Sequence, residues 1–112
     1  MKTPVIKIYN IKNLPWNPYR KQFYDLLTIH RGHQTPINAF IAENPRAKLC
    51  MLLINNKLVA MLRLYYESFK QYNIELGQKY ICINMVIVDP QWRKKGLGGM
   101  LINAICRKFP KN

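Results

Sequence analysis

The chain has 112 residues, 49% hydrophobic, with 18 lysines and arginines against 5 acidic residues and a formal charge of +13. That length holds one hydrophobic core rather than two, so residues 1–112 are read as a single domain. No run is long and apolar enough to span a bilayer.

The N-terminal stretch has an early lysine but no apolar segment or small-residue cleavage site behind it, so no signal peptide is read and the expected location is intracellular, cytoplasmic. Cys50, Cys82 and Cys106 are odd in number and widely spaced. No Cys/His ligand spacing occurs, so no metal is expected. Each cysteine sits in an apolar segment, which predicts three buried free thiols.

In chain order, residues 5–11 alternate apolar and polar and predict a first strand. After a break at Pro15 and Pro18, residues 19–30 predict a helix with Phe23, Leu26, Leu27 and His30 on one face. Gly32 ends it. Thr35-Pro36 reads as an N-cap with proline at the first helical position, opening a short helix through Ala42. Residues 49–54 and 58–66 form an antiparallel hairpin about a tight Asn55-Asn56 turn, since asparagine tolerates positive φ. Residues 67–78 are polar and predict a loop. No repeat or low-complexity tract is present.

The most informative stretch is the last. An apolar strand over residues 81–88 stops at Asp89-Pro90, because proline lacks a backbone N–H and biases its predecessor away from helix. A basic turn, Arg93-Lys94-Lys95, leads to Gly96-Leu97-Gly98-Gly99, and from Leu97 the residues Met100, Leu101, Ala104 and Ile105 keep a helical spacing. Strand, glycine turn and helix start in that order make an anion site: the unpaired N–H groups of the first turn face the ligand, and the helix dipole favours negative charge. Glycine leaves the backbone open to close approach. The R-x-x-G-x-G spacing is neither the G-x-G-x-x-G of a dinucleotide site nor a P-loop.

Val88, Pro90, Arg93, Gly96, Gly98 and Leu101 stand at the positions of V-x-P-x-x-R-x-x-G-x-G-x-x-L. In this the chain resembles the GNAT superfamily of N-acetyltransferases. The resemblance implies an α+β fold, a mostly antiparallel twisted mixed sheet flanked by helices in the order β-α-α-β-β-β-α. The family pattern continues with a further strand and helix that this sequence does not contain, as in a C-terminally truncated member.

The resemblance also implies acetyl-CoA as co-substrate. Its pantetheine arm would pair with backbone groups of Val86, Ile87 and Val88. Its phosphates would be held by the amides of Lys94, Lys95, Gly96, Leu97, Gly98 and Gly99, with charge from Arg93 and the two lysines. The family's base position falls near Tyr80, Cys82 and Asn84, which share a strand face by period two. No carboxylate stands there, which leaves Glu67 as candidate base and Tyr80 as candidate acid. The loop between the first two helices, with Arg31, His33 and Gln34, is implied in acceptor recognition.

The excess charge suits a polyanionic partner such as RNA, the ribosome or an acidic protein surface. Two functions are therefore carried forward: acetyl transfer from acetyl-CoA to an amine, and a catalytically silent module that binds nucleic acid or protein. An open sheet edge would invite a second copy or another chain to complete the sheet, as a homodimer or complex.

Overall fold

The computed structural model describes the backbone of residues 3–14, 16–71 and 74–108, with side chains for these except at 16–18, 66–71 and 74–80. Strands β1 (Val5–Asn10), β2 (Lys48–Ile54), β3 (Lys57–Gln71) and β4 (Ile74–Val88) form a sheet in the order β1-β2-β3-β4. Every described pairing is antiparallel. Helices α1 (Trp16–Arg31) and α2 (Ile37–Glu43) lie between β1 and β2 in the chain, and α3 (Leu97–Lys108) follows β4.

The sheet is covered on both faces. Phe23, Leu26 and Leu27 of α1 and Ile37 and Phe40 of α2 pack with Leu49, Met51, Met61, Met85 and Ile87. On the other face Leu97, Leu101 and Ile105 of α3 pack with Cys50, Leu52, Ala60, Leu62 and Leu64. β2 is buried along nearly its whole length, which explains why it reads as an unbroken apolar run rather than an alternating one.

Asn55 and Asn56 adopt φ of 54° and 62°, the left-handed pair that a two-residue hairpin turn requires. Gly32 takes φ of 77°, and its N–H donates to the Thr28 carbonyl at 2.7 Å, which closes α1.

Several expectations are corrected. The polar segment 67–78 is not a loop: β3 runs on to Gln71 and β4 starts at Ile74, so the two strands form one long hairpin. Polar residues there hid the strands, since Glu67, Ser68, Lys70, Gln71, Glu75, Gln78 and Lys79 obscure the apolar alternation by which a strand is read. Thr35 does not cap α2. Its hydroxyl accepts from Arg31 Nη1 at 3.1 Å, while the first amide of the helix, Ile37 N–H, donates to the Tyr24 hydroxyl at 3.0 Å. His30 is exposed rather than on the buried face of α1. Met100 is exposed too, so α3 buries the narrower seam Leu97, Leu101, Ile105. Of the cysteines only Cys50 is buried, and burial pushes its thiol up to about 12; Cys82 and Cys106 are exposed.

Candidate functional site

At the end of β4 the Asp89 N–H donates to the Val59 carbonyl at 2.8 Å. The Asp89 carboxylate then accepts from Gln91 N–H at 2.9 Å, and the chain enters a single 3-10 turn, Pro90–Trp92. Proline suits that first position, where its missing N–H has no partner to lose. Trp92 is half-buried against the α3-side core, and Lys95 Nζ lies 6.0 Å from its ring centroid, within cation–π range.

Beyond the turn, Lys94 and Gly96 take positive φ, 64° and 77°. Left-handed residues in a short turn favour successive N–H groups facing one concavity, the backbone arrangement that accepts an anion. α3 begins at Leu97, and its first internal bond is Met100 N–H to the Gly96 carbonyl at 3.0 Å. The amides of Leu97, Gly98 and Gly99 therefore have no intrahelical acceptor. Among the described residues no side chain caps them. A Cβ at Gly98 would meet only Val86 Cγ1, at 3.8 Å, and one at Gly99 would meet nothing. Packing within the chain thus demands neither glycine, whereas Gly96 is required by its backbone angle. Arg93, Lys94 and Lys95 are exposed around this turn, and Arg93 Nε donates to the Val88 carbonyl at 3.3 Å.

The outer edge of β4 is open among the described residues. In an antiparallel pair the residues that bond the neighbour alternate with residues that face away. Because Asp89 bonds Val59 and the register of Met61↔Ile87 and Arg63↔Met85 is regular, Ile87 and Met85 turn their backbone groups to β3. Val86 and Val88 turn theirs outward, as the Arg93 contact to the Val88 carbonyl shows directly. Between Arg63/Leu64 on one side and Met85/Ile83 on the other the register slips, leaving Asn84 as the extra residue of a β-bulge.

The bulge brings Asn84 against a polar cluster on the α1–α2 face. Arg63 Nε donates to Asn84 Oδ1 at 2.9 Å, and Arg63 Nη1 donates to Glu43 Oε1 at 3.0 Å. Arg31 grips the same carboxylate with two bonds, Nη2 to Oε1 at 2.6 Å and Nη1 to Oε2 at 2.7 Å. Both guanidiniums lie over the Phe40 ring, at 4.7 Å for Arg63 and 5.6 Å for Arg31. The hydrogen bonds from Arg31 and then Arg63 hold the Glu43 carboxyl down at about 2, and the same contact raises Arg31. Beside this cluster is a cleft of about 500 Å³ lined by His30, Arg31, His33, Glu43, Arg63 and Asn84.

A model of the Acetyltransferase (GNAT) family matches residues 7–112. The chain belongs to that family.

The fold is similar to solved GNAT structures. A GNAT family acetyltransferase of Staphylococcus aureus superposes with a TM-score of 0.73 at 18% identity, over 96% of this chain and 78% of that one. A ribosomal-protein-alanine N-acetyltransferase of Brucella melitensis gives 0.67 at 15% identity, over 95% and 71%. A glucosamine-6-phosphate N-acetyltransferase of Arabidopsis thaliana gives 0.60 at 20% identity, over 96% and 76%. A search of curated proteins finds no match.

Set against this GNAT frame, the residues proposed for cofactor contact are contiguous: the open edge of β4, the 3-10 turn and the start of α3. Within them the backbone groups of Ile87 are turned to β3, while those of Val86 and Val88 face outward. Arg31 and His33 line the cleft, whereas Gln34 does not and lines a separate groove with Tyr24 and Thr35. Glu67 and Tyr80 are register partners across β3 and β4, and their side chains lie outside the described residues, as does that of Trp16. Among the described residues no three His, Cys, Asp or Glu side chains gather as a metal site. Glu43 and Arg63 are the residues that sequence reading missed, and Asn84, named there only for its strand face, joins them through its bond to Arg63. The available signal was Arg63 itself, a lone cation inside the apolar run of β3.

Proposed function

We propose that the chain is an N-acetyltransferase that binds acetyl-CoA across the β4 edge and the start of α3 and transfers its acetyl group to an amine. The observation that carries this is the row of uncapped amides at Leu97, Gly98 and Gly99 beneath glycines that no internal packing requires. Those amides and the turn before them hold a diphosphate, with Arg93, Lys94 and Lys95 adding charge-assisted contacts. The outward C=O of Val86 and the outward N–H and C=O of Val88 pair with the pantetheine amides as another strand would. When bound, the thioester supplies the acyl donor.

Val86 N–H, turned outward next to the bulge, would donate to the thioester carbonyl oxygen as charge develops there. The acceptor nitrogen forms a bond to that carbonyl carbon, the carbon–sulfur bond breaks, and the amine's proton must leave while the thiolate gains one. We assign Glu67, through water, and Tyr80 to those two proton steps. Residues 1–112 act as one such domain in the cytoplasm, where the exposed thiols of Cys82 and Cys106 stay reduced. A charge of +13 makes a cationic acceptor unfavourable and suits an amine on an anionic partner such as RNA, the ribosome or an acidic protein. The open edge of β4 leaves room for a second copy or a partner strand beyond the cofactor.

Calorimetric titration of acetyl-CoA in moderate salt tests this. Saturable binding by the wild type that Gly98→Asp abolishes is the expected result. No binding by either protein, together with tight association with RNA, would establish the silent nucleic-acid-binding module instead.

A further inference from the structure

Resting on the acetyltransferase function above, we infer that the cleft between α1, α2 and β4 selects an acceptor amine that also carries an anionic group, carboxylate or phosphate, which Arg63 and Arg31 bind. The cleft walls contribute two guanidiniums and one carboxylate, a net charge of +1 with His30 and His33 neutral. The other described acids are engaged elsewhere: Asp25 pairs with Lys21 at 2.9 Å, and Asp89 caps the turn after β4.

Glu43 is fully committed, since Oε1 accepts from both arginines and Oε2 from Arg31. It stays ionised at neutral pH and serves the arginines rather than the amine. Arg63 is the unusual member. Its side chain is only 8% exposed, yet its Nη2 has no hydrogen-bond partner among the described residues. No described buried side-chain nitrogen or oxygen is left unsatisfied, so that Nη2 is not sealed in, and Arg63 lines the cleft. A guanidinium clamped on two sides with one free NH₂ group is preorganised for an oxyanion. Asn84 strengthens the match: its Oδ1 is spent on Arg63, which leaves its amide NH₂ as a second donor on the cleft wall.

Position completes the inference. Asn84 is two residues before Val86 on β4, about 7 Å along the strand, so a ligand anchored by its anion at Arg63 places a nearby amine beside the proposed thioester.

The test measures CoA release from acetyl-CoA with matched amines: β-alanine against β-alaninamide, and O-phosphoethanolamine against ethanolamine. The expected result is that at least one anionic amine exceeds its neutral counterpart in kcat/KM by about tenfold or more, the value of one charge-assisted contact; which pair shows it tells carboxylate from phosphate. Because Arg63 is buried and its removal risks the fold, the diagnostic variant is Asn84→Asp, which sets a carboxylate against Arg63. It should erase the preference while calorimetric affinity for acetyl-CoA holds. The histidine ring protons of His30 and His33, followed by NMR during titration with the same anionic amines, give a readout that needs no turnover. A saturable shift kept in Gly98→Asp and lost in Asn84→Asp supports the cleft, even if acetyl-CoA were found not to bind and the acetyltransferase function failed. Equal turnover of neutral and anionic amines overturns the inference, as does the absence of a saturable shift in the wild type or its survival in Asn84→Asp.

Discussion

Two cationic regions meet on β4, and they are built in opposite ways. Around the start of α3, Arg93, Lys94 and Lys95 are exposed, close together in the chain and free of any described carboxylate. In the cleft, Arg31 and Arg63 are withdrawn from water, 19% and 8% exposed, share one glutamate, and come from different elements. The first region relies on backbone geometry, with lysine and arginine as long-range attraction. The second relies on side-chain forks locked by Glu43, Thr35, Asn84 and Phe40. Loose cations on a glycine turn suit the mobile phosphates of a large cofactor; a locked pair suits recognition of one small group.

The sharpest way to break this contrast is Gly98→Asp. A carboxylate at the helix start opposes the very charge the amides attract, and acetyl-CoA affinity should fall by about 100-fold or more by calorimetry. The fold should persist, because a Cβ there meets only Val86 Cγ1 at 3.8 Å.

On the cleft side, Glu43→Gln leaves two guanidiniums facing one another without their common partner. Because the carboxylate is about a third exposed, the expected loss of stability is about 1–3 kcal/mol in chemical denaturation, less than for a fully buried pair. The same residue sets an acid limb. Its pKa is lowered in the fold, so its contribution is complete above about 4.5 and fades as pH falls toward about 2. Unfolding midpoints across that window should drop in the wild type and drop less in Glu43→Gln.

Alanine at two glycines separates backbone need from ligand need. Gly96→Ala forces a side chain into φ of 77° and should cost about 1 kcal/mol of stability. Gly98→Ala, inside α3 with room for a methyl, should gain about 0.5–1 kcal/mol from helix propensity while weakening acetyl-CoA binding. Smallest in effect, alkylation of the native protein should modify Cys82 and Cys106 and spare Cys50 until denaturant is added, as read by mass spectrometry.

The same contrast explains what was legible in the sequence. The α3 site is written in consecutive residues: a strand-ending Pro90, a basic turn and glycines at fixed spacing each carry a local meaning, and the element order followed from periodicity. The cleft is assembled from Arg31, Glu43, Arg63 and Asn84, which meet only once the sheet has formed, and the bulge that turns Asn84 toward Arg63 has no glycine or proline to announce it. Thr35-Pro36 carried the local pattern of a helix cap, yet the tertiary contact to Arg31 prevailed. The hairpin beyond residue 66 is hard to read because Glu67, Ser68, Lys70, Gln71, Glu75, Gln78 and Lys79 make the segment predominantly polar. The resemblance implies Val86, Ile87 and Val88 together, and which of them face the neighbouring strand depends on register, which the bond from Asp89 to Val59 shows.

The central proposal, that backbone amides at the start of α3 hold the diphosphate of acetyl-CoA, is tested most directly by amide NMR during titration with acetyl-CoA. The resonances of Lys94 through Gly99, with Val86 and Val88 on the strand edge, should move together and saturate at one affinity. Saturable shifts confined to other parts of the protein, with those amides unmoved, would contradict it.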